Sequence, residues 1–373
     1  MIPITRPSLT REEADAAAEA ILSGWLSQGP RVQEFETAVA GYTGAAHAIA
    51  TSNCTTALHL ALIAAGVGPG DEVICPSFSF VATANAIVHA GGTPVFVDID
   101  PRTYNIDPAL IGPAISQRTR AIVPVDQIGL AADIPAVMRI AREHDLKVIE
   151  DAAPSLGATF GEVRVGATSD FTCFSFHPRK SITTGEGGLI TTNDQAAAER
   201  LRSLRSHAAS TSDLARHQSG TTDIEEYREL GYNYRMTDIQ AAIGIVQMRR
   251  LEGILDERGR LARRYDSLFA GDARLSTPFV PEGYRHTYQS YCVRLRTDRP
   301  RKAIMDELAA QGIATRRGVM AIHLEPYYRQ QFPEVSLPHT EAATRDTLLL
   351  PLFAGMTDDE QDQVVTALQA ALG

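Results

Sequence analysis

The first hydrophobic pattern along the chain is helical. Thr10 and Glu13 stand three apart in "TREEADAAAEAIL", a capping box that predicts a first helix ending near Ser23-Gly24. Pro30 suits the first turn of a second helix, "PRVQEFETAVAGY", and "TTALHLALIAAG" predicts a third, closed by Gly66. Past residue 70 the period changes. Short β-rich runs appear at 71–76, 93–99, 121–125, 147–151, 170–176 and 187–193. Helical segments such as "FVATANAIVHAG" and "IPAVMRIAREHD" separate several of them. Strand–helix alternation implies a largely parallel sheet with both faces covered, and ligands in such sheets gather at the carboxyl ends of the strands.

Residues 207–230 are polar and weakly periodic, which predicts a surface excursion. A long helix follows over Thr237–Leu268. After it come the strand "TYQSYCVRL", a helix near 301–311, the apolar run "TLLLPLF" and a last helix. The expected fold is therefore α/β. A large domain (1–250) carries a mostly parallel mixed sheet flanked by helices, and a smaller α+β domain (251–373) completes the chain. No internal repeat or low-complexity tract interrupts this pattern.

Composition narrows the function. The chain has 373 residues, enough for two domains, with 44% hydrophobic and 21% charged residues. Its net charge of −10 argues against a general nucleic-acid or anionic-membrane binder, both of which need a positive footprint. A small anion can still be bound locally, because distant charge is screened beyond about 8–10 Å. Cys54, Cys75, Cys173 and Cys292 are far apart and form no CxxC, so neither a metal site nor a disulfide framework is expected. The opening "MIPITRPSLTREEAD" has no apolar signal core, and no stretch approaches the ~20 apolar residues of a membrane span, so a cytoplasmic enzyme is expected.

Candidate chemistry centres on "FSFHPRKSITTGEGGLITTND". Lysine forms a Schiff base with a carbonyl cofactor once burial or cationic neighbours lower its proton affinity. A lone lysine such as Lys180 is more often a solvated surface charge. Its neighbours change that balance. Ser175 ends a predicted strand five residues earlier, and the glycines of "TTGEGG" permit close backbone approach. In "SNCTTALHLAL", Ser52, Thr55 and Thr56 precede a helix start, where free N–H groups, the dipole and hydroxyls suit a phosphate; simple N-capping is the plainer alternative. "VIEDAAPS" puts Glu150 and Asp151 at the carboxyl end of an apolar strand. A carboxylate there can pair with a pyridine nitrogen and make the ring an electron sink, or can simply end a strand. Phosphate cradle, ring-nitrogen acid and aldehyde-capturing lysine are together what pyridoxal 5′-phosphate (PLP) requires.

On these segments, together with "SGWLSQGPRVQEFE", "GDEVICPSFSFVATANAIVHAGGTPVFVDIDPRTYNID" and "GYNYRMTDIQAAIG", the sequence resembles the DegT/StrS-type sugar-nucleotide aminotransferases, PLP enzymes of fold type I, over nearly its whole length. The resemblance implies roles one residue at a time. Lys180 would bond the cofactor and shuttle protons. Asp151 would hold the pyridine nitrogen. Thr55, Thr56 and Ser175 would bind the phosphate, and Phe80 would stack on the ring. Asn233 would reach the phosphate from a neighbouring subunit, which implies a homodimer with shared sites. Three positions depart from the family pattern: Cys54 replaces a common glycine, Pro154 a polar residue facing the cofactor's phenolic oxygen, and Asp126 a usual histidine. Arg179 reads as a solvated charge or a phosphate neighbour.

The resemblance further implies two-stage transamination, with L-glutamate as donor and the amine held on the cofactor as PMP between stages. The acceptor would be a keto-deoxysugar on a nucleoside diphosphate. Substrate candidates are Trp25, Gln28, Arg316, Arg317 and His323, against which stand a core anchor, a solvated turn and a packed histidine. Competing readings are an enzyme acting on a free ketosugar or keto-cyclitol, and a non-catalytic regulator on the same fold. A PMP-dependent dehydratase is disfavoured because Lys180 is present. A Rossmann dehydrogenase is disfavoured because no G-x-G-x-x-G follows a first strand.

Overall fold

The computed structural model describes residues 1–210 and 226–373. The expected excursion at 207–230 therefore falls largely outside the described residues, but its ends are clasped, with Ser210 N donating to Glu226 O at 2.9 Å. In chain order the larger part contains α1 (Arg11–Leu22), α2 (Pro30–Thr43), β1 (His47–Thr51), α3 (Cys54–Ala64), β2 (Glu72–Pro76), α4 (Ala82–His89), β3 (Thr93–Val97), α5 (Ile111–Ala114), β4 (Thr119–Ile122), α6 (Ile134–Glu143), β5 (Lys147–Asp151), β6 (Thr159–Phe160), β7 (Val163–Arg164), β8 (Phe171–Ser175), β9 (Gly188–Thr192) and α7 (Gln195–Leu204). Then follow α8 (Asp238–Leu268), β10 (Leu275–Ser276), β11 (Tyr284–Arg285), β12 (Tyr291–Leu295), α9 (Arg301–Ala310), β13 (Arg316–Arg317), α10 (Pro326–Gln331), α11 (Pro338–Asp346), β14 (Thr347–Leu350) and α12 (Asp358–Leu372).

Seven strands form the main sheet in the order β1-β9-β8-β5-β4-β2-β3. Six run the same way and β9 alone is reversed. The expected fold class, a mostly parallel sheet between helices, is what the chain adopts. Two apolar layers cover the sheet. One packs Leu58, Leu60 and Leu62 of α3 with Ile87 of α4, Val73, Ile149 and Ile190. The other packs Phe35 and Val39 of α2 with Phe174, Phe176, Leu189 and Ile245 of α8. Each such side chain contributes about 1.5–3 kcal/mol by leaving water. A further cluster joins Leu261 and Tyr265 of α8 to Tyr291, Val293, Leu348 and Leu368, and draws in Ile2 from the amino terminus.

Helix ends explain how the layers are held. The capping box at Thr10 and Glu13 forms as expected. Glu13 also accepts from Gln247 Nε2 and Arg250 Nη1 of α8, both at 2.6 Å. No side chain of its own caps α2. Instead the buried carboxylate of Asp238, at the start of α8, accepts from Gly29 N (2.7 Å), Arg31 N (3.1 Å) and Val32 N (3.0 Å).

Candidate active site

Strand register brings the chemistry-bearing segments to one edge. Gly188, first in β9, lies between Thr51, last in β1, and Ser175, last in β8. Asp151, last in β5, pairs with Cys173 two residues before Ser175. The carboxyl ends of β1, β5 and β8 therefore open on the same side of the sheet. Side chains alternate along a strand, so the consecutive carboxylates of β5 have different surroundings. Glu150 accepts from Ser169 Oγ and Thr172 Oγ1, both at 2.9 Å, while Asp151 accepts from Thr83 Oγ1 of α4 at 2.7 Å.

Lys180 sits on the connection between β8 and β9. That connection is rigid: Phe176 N donates to Gly187 O (2.9 Å), Thr184 N to Phe176 O (3.0 Å), and Lys180 N to His177 O (2.9 Å). Thr183 N donates to Gln247 Oε1 at 3.2 Å, so the amide of Gln247 ties this loop to Glu13. Gly185 has φ +85°, a left-handed conformation that side chains resist. A Cβ on Gly188 would lie 2.3 Å from the Asn53 carbonyl, so glycine is needed where β9 passes the start of α3.

No hydrogen bond or ion pair holds the Lys180 amine among the described residues. Burial lowers its proton affinity; the Asp151 carboxylate pulls it up again, and the Arg179 charge pushes it further down. Asp151 shows the opposite balance. Burial raises its affinity, while the Thr83 hydroxyl and the Lys180 charge favour the ionised form. Ser79 Oγ lies 2.8 Å from Thr83 Oγ1, which orients the hydroxyl.

The start of α3 separates the two threonines. Thr56 is engaged in capping: its N–H donates to Asn53 Oδ1 (2.9 Å) and its hydroxyl to Asn53 O (2.7 Å). The Thr55 hydroxyl has no partner among the described residues. The N–H groups of Cys54 and Thr55 point off the helix start, where anions are stabilised. The half-buried Ser175 hydroxyl is touched only by the His177 N–H at 3.5 Å, a marginal contact.

The remaining candidates are spread around this centre. Phe80, just past β2, is 65% exposed, and Asn233 is exposed beside the Tyr234 carbonyl that accepts from Ser52 N at 2.8 Å. Trp25 packs over Gly29, and the Gln28 Oε1 oxygen is buried without a hydrogen-bond partner. Arg316 is exposed on β13, while its neighbour Arg317 binds Glu325 at 3.2 Å. His323 is only 1% exposed. Its Nδ1 meets Ser77 Oγ at 2.7 Å and its Nε2 meets Glu341 Oε1 at 3.4 Å, the surroundings of a packed histidine. Asp126 is fully buried, accepting from Ser155 Oγ (2.6 Å) and Ala132 N (2.8 Å). Pro154 offers its carbonyl to Thr287 Oγ1 at 2.9 Å. Thr83 carries no motif of its own in the sequence, and only the fold shows that it governs Asp151.

This donor set fits a phosphorylated pyridine aldehyde: an unpaired amine of lowered basicity, a buried carboxylate oriented by a hydroxyl, and free N–H groups at a helix start. Fold and site together define a PLP-dependent enzyme. The sequence profile of the DegT/DnrJ/EryC1/StrS aminotransferase family matches residues 7–369, and the chain belongs to that family. SpsC of Bacillus subtilis, a spore coat polysaccharide biosynthesis protein, is 39% identical over 99% of this chain and 96% of its own. Helicobacter pylori PseC, an aminotransferase involved in the biosynthesis of pseudoaminic acid, superposes with a TM-score of 0.93 at 28% identity, covering 100% of this chain and 99% of its own. NtdA of Bacillus subtilis, with the cofactor PMP bound, gives a TM-score of 0.88 at 31% identity over 97% and 81% of the two chains.

Proposed function

We propose that the chain moves an amino group from L-glutamate to a keto-sugar carried on a nucleoside diphosphate, in amino-sugar biosynthesis. The observation that carries this reading is the unpaired Lys180 amine facing the buried Asp151 at the strand ends. Bound PLP supplies an aldehyde that takes up the amine and a ring that accepts electrons. The protein's own groups do the rest. The N–H groups of Cys54 and Thr55, with the Thr55 and Ser175 hydroxyls and Thr56 behind them, receive the phosphate. Asp151, kept ionised by Thr83, accepts a hydrogen bond from the ring nitrogen. Phe80 covers one ring face. Lys180 Nζ, with basicity lowered by burial, removes a proton from the donor's α-carbon and returns one to the acceptor carbon.

Acceptor recognition falls to Gln28, whose buried amide oxygen suits a sugar hydroxyl, and to Trp25 beside it. The two internal partners of His323 favour a structural role, so it is left out of the acceptor site. Asn233 completes the site of a second copy in a homodimer. The exposed Ile21, Leu22, Leu26 and Leu230 support such a contact. Residues 1–250 would form the cofactor-binding domain and 251–373 the smaller one. All four cysteines are buried and unpaired, which suits a reducing cytoplasm. No described helix is long and apolar enough to cross a membrane. The decisive experiment offers purified protein a panel of keto-sugar nucleotides with glutamate and follows 2-oxoglutarate by mass spectrometry. Release that requires one of the sugar nucleotides supports the reading, and its absence across the panel refutes it.

A further inference from the structure

Two cations beside the site have no anionic partner. Arg179 immediately precedes Lys180 and is exposed, and Arg316 is exposed on β13. Neither guanidinium makes an ion pair or hydrogen bond among the described residues. Their backbones, in contrast, are fixed. Arg179 N donates to His177 Nδ1 at 3.2 Å, and its carbonyl accepts from Gln289 Nε2 at 2.7 Å. Arg316 pairs with Leu349 of β14. The segment then runs on to Ala321, which bridges Phe78, two residues before Phe80. Burial lowers the proton affinity of Arg179, and the Arg316 charge lowers it further, so the two charges sense one another. An arginine pair without a counter-ion, rooted on rigid backbone, is suited to a carboxylate or phosphate oxyanion.

Position decides which anion. A donor amino acid must bring its α-carbon to Lys180, and its carboxylate is one bond from that carbon. A diphosphate on a sugar substrate lies across the sugar ring from the keto group. We propose that Arg179 and Arg316 form a clamp for a carboxylate of a dicarboxylic amino donor, and so set the selectivity for the donor rather than the acceptor. The clamp rests on Lys180 being the cofactor lysine of an aminotransferase.

The test compares the PLP-loaded wild type with Arg179→Gln and, independently, Arg316→Gln. Three quantities are measured: the affinity for glutarate, an unreactive dicarboxylate, by titration calorimetry; the affinity for uridine diphosphate by the same method; and the bleaching of the cofactor absorbance by glutamate. Each variant is expected to weaken glutarate binding and raise the glutamate concentration for half-bleaching by about ten- to hundredfold, the range for one lost charge-assisted contact. Uridine diphosphate binding should be unchanged. Glutarate bound as tightly by both variants as by the wild type overturns the clamp, as does a loss confined to uridine diphosphate, which would assign the pair to the acceptor. Failure of glutamate to bleach even the wild type overturns the glutamate-donor reading and the clamp with it. Bleaching of the wild type with unaltered variants removes the clamp alone.

Discussion

Replacing Thr83 by valine keeps the shape of α4 and removes one hydroxyl. That hydroxyl donates to Asp151 Oδ2 at 2.7 Å in a buried setting. Burial already favours the protonated acid, and Thr83 is the largest of the influences opposing it. A hydrogen bond to a charged group contributes about 1.5–3 kcal/mol. At 1.36 kcal/mol per unit, its loss should raise the Asp151 proton affinity by about one to two pH units. Protonated Asp151 cannot accept from the ring nitrogen, so the acid limb of the kcat/KM profile should move to higher pH by that amount. Near pH 7 the rate should fall by about tenfold or more. Asp151→Asn, which removes the charge itself, should also cost more than about tenfold, at every pH. Thr83→Ser keeps the donor and should return the acid limb most of the way. A Thr83→Val profile that overlays the wild type would show that Asp151 is held ionised by something else.

Three further outcomes follow from contacts described above. Lys180→Ala should retain the circular dichroism of the native fold, lose turnover, and lose the mass increment that borohydride fixes in the PLP-loaded wild type; near-normal turnover would contradict the role of the lysine. Burial pushes the Glu13 carboxyl up, but hydrogen bonds from Thr10, Gln247 and Arg250 outweigh it and take the value from an ordinary 4.5 to about 2. A depressed carboxyl gives stability that is present above its unfolded value and lost as pH falls. Urea unfolding should therefore weaken between about pH 4.5 and about 2, and Glu13→Gln should flatten that slope; equal slopes would refute it. Asp238→Ala leaves three N–H groups at the start of α2 without their acceptor and should lower unfolding stability by about 2–4 kcal/mol. A loss below about 0.5 kcal/mol would mean that water or another side chain replaces the cap.

Local signals in the sequence predicted local structure well. The capping boxes at Thr10 and Thr237, the αα-then-β/α order and the long α8 all follow from short-range patterns, and the structure contains them. β1 escaped notice because "HAIAT" is alanine-rich, has little β-branched character, and runs directly into the cap of α3. The reversal of β9 is set by the loop around Lys180, and its strand composition is the same in either direction. Lys180 and Asp151 were legible because each sits at the end of an apolar run. Thr83 was not, because its partner lies 68 residues away, and neither was Asp238, which caps a helix 206 positions earlier. Contacts of that span leave no periodic trace.

The bond pattern at Gln247 has a consequence for the order of events during synthesis. One side of its amide grips the opening helix through Glu13, and the other steadies the loop bearing Lys180. Neither attachment exists until residue 247 has left the ribosome, when two-thirds of the polypeptide is already outside. The earliest helix to emerge must wait, loosely docked, and the catalytic loop takes its final shape in the same late step that fastens that helix down.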